Sequence, residues 1–111
     1  MKPTRSYEIQ MYQDEKGKVP YRNWFEKLKD VAAKQRIAGR LLRLQMGLFG
    51  DCKGVGGQVL ELRVATGPGY RVYFGLEDNK LILLLCAGDK SSQEKDIALA
   101  HKYWNDHKER K

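Results

Sequence analysis

Tyr7, Ile9 and Met11 alternate with Glu8, Gln10 and Tyr12, which predicts a short β-strand. A polar connector, Gln13 to Lys18, leads to Pro20. Proline suits a first helical turn, where its missing N–H is not needed. Tyr21, Trp24, Phe25 and Leu28 recur at i, i+3, i+4 and i+7, so residues 20–29 read as a short amphipathic helix. Asp30 is a good N-cap for a second helix over residues 31–46. Ile37, Leu41 and Leu44 mark its apolar side, with Leu48 beyond, and Arg36, Arg40 and Arg43 lie on a separate stripe. Gly39 costs about 1 kcal/mol in a helix interior relative to alanine. It either permits close packing or merely weakens the helix. Gly47 and Gly50 end the element, and the two helices read as a hairpin.

Residues 51–57, with Gly54, Gly56 and Gly57, read as a loop. Leu60, Leu62 and Val64 then alternate with Val59, Glu61 and Arg63. Beyond Gly67-Pro68-Gly69, Tyr70, Val72 and Phe74 alternate with Arg71, Tyr73 and Gly75, which predicts a β-hairpin. Glu77-Asp78-Asn79 is a second turn, and Lys80 to Ala87 is apolar on both faces, as in a strand covered on both sides. Ser91 and Glu94 have the form of a capping box before a helix over residues 92–106, with Ile97, Ala100 and Trp104 on one side. The tail from His107 to Lys111 is expected to fray. The order β, α, α, β, β, β, α predicts an α+β fold. An N-terminal strand and a helical hairpin pack on a small, mainly antiparallel sheet, followed by a C-terminal helix.

A length of 111 residues fits one domain, residues 1–111. The longest apolar run, Leu81 to Ala87, is far short of the ~20 residues that span a bilayer. No apolar stretch follows Met1–Arg5, so a secretory signal is not expected and the cytoplasm is the expected compartment. Cys52 and Cys86 are accordingly expected to be free thiols. His101 and His107 lack zinc spacing, and neither a metal nor a cofactor is expected. Lys and Arg outnumber Asp and Glu by 21 to 14, a net charge of +7. Such a surplus points to a polyanionic partner, nucleic acid or an acidic protein segment; plain solubility is the alternative.

The candidate chemistry lies in the central hairpin. Setting Val64 opposite Tyr70 places Arg63 opposite Arg71 and Glu61 opposite Tyr73, on the face turned away from the core. Like charges directly opposite are unfavourable, so an arginine pair is a natural place to hold an anion. Lys90 follows the last strand, and Lys53 lies on the loop entering the hairpin. Together with Tyr73 these cations would form a phosphate- and base-binding surface for single-stranded nucleic acid. The bland reading is a solvated face with Glu61 paired to either arginine. The stripe Arg36, Arg40, Arg43 is either a solvated helix face or a contact for an acidic partner.

The segments Phe49-Gly50-Asp51-Cys52-Lys53, Glu61-Leu62-Arg63, Gly67-Pro68-Gly69-Tyr70-Arg71-Val72-Tyr73-Phe74 and Gly88-Asp89-Lys90, with Gln93 and Asp96-Ile97, occur in this order. In that order and spacing the chain resembles the RelE/ParE toxin superfamily, and within it the phage-derived, HigB-like addiction module killer proteins. The resemblance implies the toxin of a type II toxin–antitoxin module, neutralised by a helix-turn-helix, HigA-like antitoxin. It implies a metal-independent, ribosome-dependent mRNA endonuclease in which the RNA's own 2′-hydroxyl attacks the adjacent phosphate. DNA would be met only through the antitoxin, and no membrane is involved. Carried over by position, Arg71 would stabilise phosphorane charge and Lys90 would assist the leaving oxygen or hold phosphate. Arg63 and Lys53 would bind RNA, with Tyr73 beside them, and the Arg36, Arg40, Arg43 stripe would meet the antitoxin. Glu61 stands where relatives often carry lysine; it is either a general base or an ion-pair partner. Members of the same superfamily poison DNA gyrase instead, and a remnant that only binds its antitoxin is a third reading.

Overall fold

In the computed structural model, described over residues 6–110, the chain forms β1 (Glu8–Met11), α1 (Pro20–Lys27), α2 (Val31–Gln45), β2 (Cys52–Gly54), β3 (Val59–Val64), β4 (Tyr70–Glu77), β5 (Leu81–Asp89) and α3 (Gln93–Glu109). A 3-10 turn, Lys90–Ser92, joins β5 to α3. Met1–Arg5 and Lys111 lie outside the described residues. The sheet order is β1-β5-β4-β3-β2. β1 runs parallel to β5, and the other pairs are antiparallel.

Local chemistry accounts for most boundaries. Pro20 opens α1, and the Asp30 carboxylate accepts the Ala33 N–H at 3.0 Å to cap α2. Gly47, at φ 81°, ends α2. Asp78 and Asn79 both adopt φ 54°, the left-handed pair that a tight β4–β5 hairpin needs.

Three expectations are corrected. Residues 51–57 are not simply loop: Cys52–Gly54 form an edge strand whose Lys53 stands opposite Glu61. Gly56, Gly57 and Gln58, all at positive φ, turn the chain into β3. The Ser91–Glu94 capping box does not form. Asp89 accepts the Ser91 N–H at 2.8 Å, and the Ser92 hydroxyl turns to Asp96 instead. The C-terminal segment does not fray at His107. α3 continues to Glu109 because His107 bonds Glu77 at 2.9 Å and Arg110 reaches Asp106 at 3.1 Å and the Gln13 carbonyl at 2.5 Å.

The sheet is covered on both faces. Against one lie α1 and α2, with Tyr21, Ala33, Ile37 and Leu44 packed on Leu62, Val64, Val72, Phe74 and Leu84. Against the other lies α3, with Ala100 and Trp104 on Val59, Tyr73, Leu83, Leu85 and Cys86. The face expected to point into solvent is therefore largely sealed by α3. Two glycines let that helix come close. The Trp104 ring lies directly over Gly75, and the Asp96 carboxylate lies against Gly88, each occupying the space a Cβ would take. Gly75→Ala should lose about 1–3 kcal/mol through overpacking against Trp104, read as a lower midpoint in urea unfolding. An unchanged midpoint would show that α3 is not seated as described.

Candidate functional site

The strand register is the expected one: Val64 faces Tyr70, Arg63 faces Arg71 and Glu61 faces Tyr73. Two like charges therefore do stand opposite each other, and the protein resolves the conflict internally. Arg63 directs Nε and Nη2 to Oδ1 of Asp51, at 3.2 and 3.1 Å. Arg71 donates from Nη1 to the Gly69 carbonyl at 3.0 Å, and its Nε stands 3.6 Å from Oε2 of Glu61. Each arginine thus has its own carboxylate. The Arg63 pair is open to water, where such pairs contribute at most about 1 kcal/mol. The Arg71 pair is enclosed, with the arginine side chain 12% exposed and Glu61 0% exposed.

Glu61 sits beneath the start of α3. Its Oε2 accepts the Tyr73 hydroxyl at 3.1 Å and the Gln93 amide at 2.8 Å. Tyr73 is 0% exposed. Burial, then the neighbouring Glu61 charge and hydrogen bond, push its phenol well above the usual range. The expected role of Tyr73 as a base-stacking wall is corrected: its ring is core packing and its hydroxyl serves Glu61. In this conformation Glu61 likewise meets Arg71, Tyr73 and Gln93 and no solvent, so it reaches no substrate directly.

Lys90 is exposed at the head of the 3-10 turn. Its Cβ stands 3.7 Å from the point where a Cβ on Gly69 would lie, and Nη1 of Arg71 stands 3.5 Å from the same point. The β3–β4 turn therefore brings Lys90 beside Arg71. Lys53 is exposed on the edge strand, in register with Glu61. Asp89, next to Lys90 at the end of β5, is held below the usual carboxylate range. The Ser91 hydroxyl and N–H are the main cause, and Arg71 adds to it. Burial raises Asp96 above the usual range against the opposing bond from Ser92. A groove of about 350 Å³ is lined by Asp51, Arg63, Val64, Gly69, Tyr70 and Arg71.

The α2 stripe divides. Arg36 and Arg43 are exposed on a groove of about 380 Å³ that meets the first one at Val64 and Ala65. Arg40 turns inward and donates to the carbonyls of Arg63 at 2.6 Å and Phe49 at 3.2 Å. It ties α2 to the sheet while still lining the same groove as Arg36 and Arg43. Sequence reasoning missed Asp51 as the partner of Arg63 and Gln93 as the partner of Glu61. The helix-start pattern at Ser91 put residue 93 in the first turn, the signal that could have found it.

Two outcomes follow from this geometry. Asp51→Asn frees Arg63 and should tighten binding of a polyanion such as heparin, read as a lower Kd at low salt and a steeper loss as salt rises. An unchanged Kd would show that Asp51 does not compete for the arginine. Burial pushes the Cys52 thiol up to about 11 from 9.0, and Cys86 up to about 12. The thiolate is the reactive form, so at pH 8 Cys52 should alkylate with iodoacetamide about a hundredfold more slowly than a free thiol, gaining rate as pH rises. Fast labelling at pH 8 would contradict that burial.

No family model matches the chain. An uncharacterized protein of Haemophilus influenzae is 47% identical over 85 residues, covering 77% of this chain and 86% of that protein. Among solved structures, a double arginine-to-alanine mutant of the Escherichia coli toxin RelE, in the free state, superposes with a TM-score of 0.60. The match covers 84% of this chain and 90% of the RelE chain at 14% identity, a likeness of fold. The mixed sheet with a helical pair on one face and a C-terminal helix on the other is thus a RelE-like fold, and the chain belongs to one family with the Haemophilus influenzae protein.

Proposed function

We propose that the chain is the toxin of a type II toxin–antitoxin module and acts as a metal-independent, ribosome-dependent mRNA endonuclease. The observation that carries the reading is the end of the β3–β4 hairpin, where Arg63 and Arg71 face each other across a groove with Lys90 alongside. The neighbour in fold is itself a toxin, which supports the same class.

In this mechanism the mRNA lies along the groove, with Lys53 and Arg63 drawing in its phosphates. Attack by a 2′-hydroxyl on the adjacent phosphorus builds negative charge on the equatorial oxygens. Arg71 stabilises that charge with donors already aimed, so little reorganisation is needed. Lys90, exposed beside it, neutralises the 5′-oxygen as the P–O5′ bond breaks and a 2′,3′-cyclic phosphate is left, the 2′-hydroxyl proton passing to water. The burial of Glu61 supports the ion-pair role over the general-base role, since a base must reach the proton it takes. The partner that silences the toxin is a helix-turn-helix, HigA-like antitoxin. An acidic segment of it would meet the exposed Arg36 and Arg43, and DNA is reached only through it. Action on ribosome-bound mRNA places the protein in the cytoplasm.

The test is pulse-labelling after induction of the protein alone in bacteria. Methionine incorporation should collapse early while thymidine incorporation continues. Arg71→Ala should abolish the collapse, since loss of one such charge-stabilising group costs about 10²–10³ in rate. Early loss of thymidine incorporation would replace this reading with gyrase poisoning. If neither label falls, the protein is no toxin and only binds its antitoxin.

A further inference from the structure

The Glu61–Arg71 pair is enclosed, yet it is not closed. Nε of Arg71 and Oε1 of Glu61 are both buried, and neither has a hydrogen-bond partner among the described residues. A buried donor and a buried acceptor of opposite charge on neighbouring side chains would ordinarily satisfy each other, because each unmade bond costs about 1–3 kcal/mol. Here Nε instead stands 3.6 Å from Oε2, beyond hydrogen-bond length, and Oε1 is left without a donor. The reason is visible at that same Oε2. Oε2 is engaged by the Tyr73 hydroxyl and the Gln93 amide, at 3.1 and 2.8 Å. Tyr73 lies on β4, the same strand as Arg71, whereas Gln93 is the first residue of α3 and pulls from outside the sheet.

We propose that Gln93 is a positioning residue that holds the Glu61 carboxylate off Arg71 and so leaves the guanidinium available to an incoming phosphate. This rests on the nuclease reading above and deepens it. With Gln93 in place, Glu61 orients Arg71 as a loose counter-charge. Without it, the carboxylate is free to swing onto Nε as a close, hydrogen-bonded pair. That pair in a low-dielectric site competes directly with substrate phosphate for the same cation. Gln93 and Lys90 lie on consecutive turns of one short segment, the 3-10 turn and the head of α3. The position of that segment therefore sets both cations of the site, Lys90 directly and Arg71 through Glu61. The charged and titratable groups facing the carboxylate are Arg71 and Tyr73 on β4, with Lys53 in register on β2; Asp96 on α3 acts on Tyr73.

The experiment compares wild type, Gln93→Met, Glu61→Gln and the double variant in single-turnover cleavage of an mRNA bound to purified ribosomes. Methionine keeps the length and volume of glutamine but removes the donor. Gln93→Met should lower the maximal rate roughly tenfold, with the half-saturating ribosome concentration changed less than about twofold. In the Glu61→Gln background the same change should add less than about twofold, because its effect passes through Glu61. A full-sized loss in both backgrounds, or none in either, overturns the proposal. The Nε–H resonance of Arg71 supplies a readout independent of cleavage. It should move in Gln93→Met and stay in place in Glu94→Gln, an exposed neighbour on the same turn. If the wild type cleaves nothing while that resonance moves, the nuclease reading fails and the Gln93–Glu61–Arg71 coupling stands. If the resonance does not move, the coupling fails whatever the protein cleaves.

Discussion

A carboxylate with no access to water constrains everything around it. Taking an ion pair out of water costs several kcal/mol per ion, and leaving one member unpaired costs about 3–5 kcal/mol more. Glu61 therefore demands Arg71, Tyr73 and Gln93 together, and these come from β4 and from the first residue of α3. The helix cannot supply Gln93 unless it lies close on the sheet. Gly75 and Gly88 make that close approach possible, one beneath Trp104 and the other beneath Asp96. The packing of α3 and the electrostatics of the site are thus one problem with one solution.

The same logic explains how a chain of net charge +7 tolerates two arginines face to face. Each has a carboxylate neighbour, Asp51 in the open and Glu61 in the interior, so the folded protein meets no uncompensated repulsion. Arg40 acts differently: it uses its charge to bond carbonyls and pins α2 to β3 and to the segment before β2. A basic composition is therefore not the same as a basic surface. Arg36, Arg43, Lys53 and Lys90 carry the exposed charge, while Arg40 is engaged by backbone carbonyls and Arg71 lies enclosed beside a loosely placed Glu61.

The hairpin register was legible because strict alternation and a Gly-Pro-Gly turn leave little freedom: a slip of one residue would turn Leu62, Val72 and Phe74 away from α1 and α2 and bring Arg63 and Arg71 beneath those helices. β2 was not legible, because Cys52-Lys53-Gly54 is too short to show a period and is defined by pairing alone. The burial of Glu61 and Tyr73 was hidden for a different reason. Glu61, Arg63 and Arg71 spell a solvated face, and α3 carries only Ile97, Ala100 and Trp104 as a weak apolar signal. Nothing in local pattern says that such a helix lies over such a face. The capping box failed in the same region because Asp89 outcompeted Glu94 for the first turn, freeing Ser92 to engage Asp96.

The parallel pairing of β1 with β5 carries a kinetic consequence. Glu8 to Met11 pair with Leu81 to Leu84, so the earliest strand to be synthesised waits for one of the last. Such a non-local contact requires closure of a long loop before it returns any stability, which slows folding. Throughout translation of α1, α2 and the β3–β4 hairpin, the edge that β5 will fill stays open. The sheet cannot complete until β5 leaves the ribosome, and α3, which carries Gln93, follows later still. The order of synthesis therefore makes the enclosure of Glu61 by Gln93 one of the last events in the folding of the nascent chain.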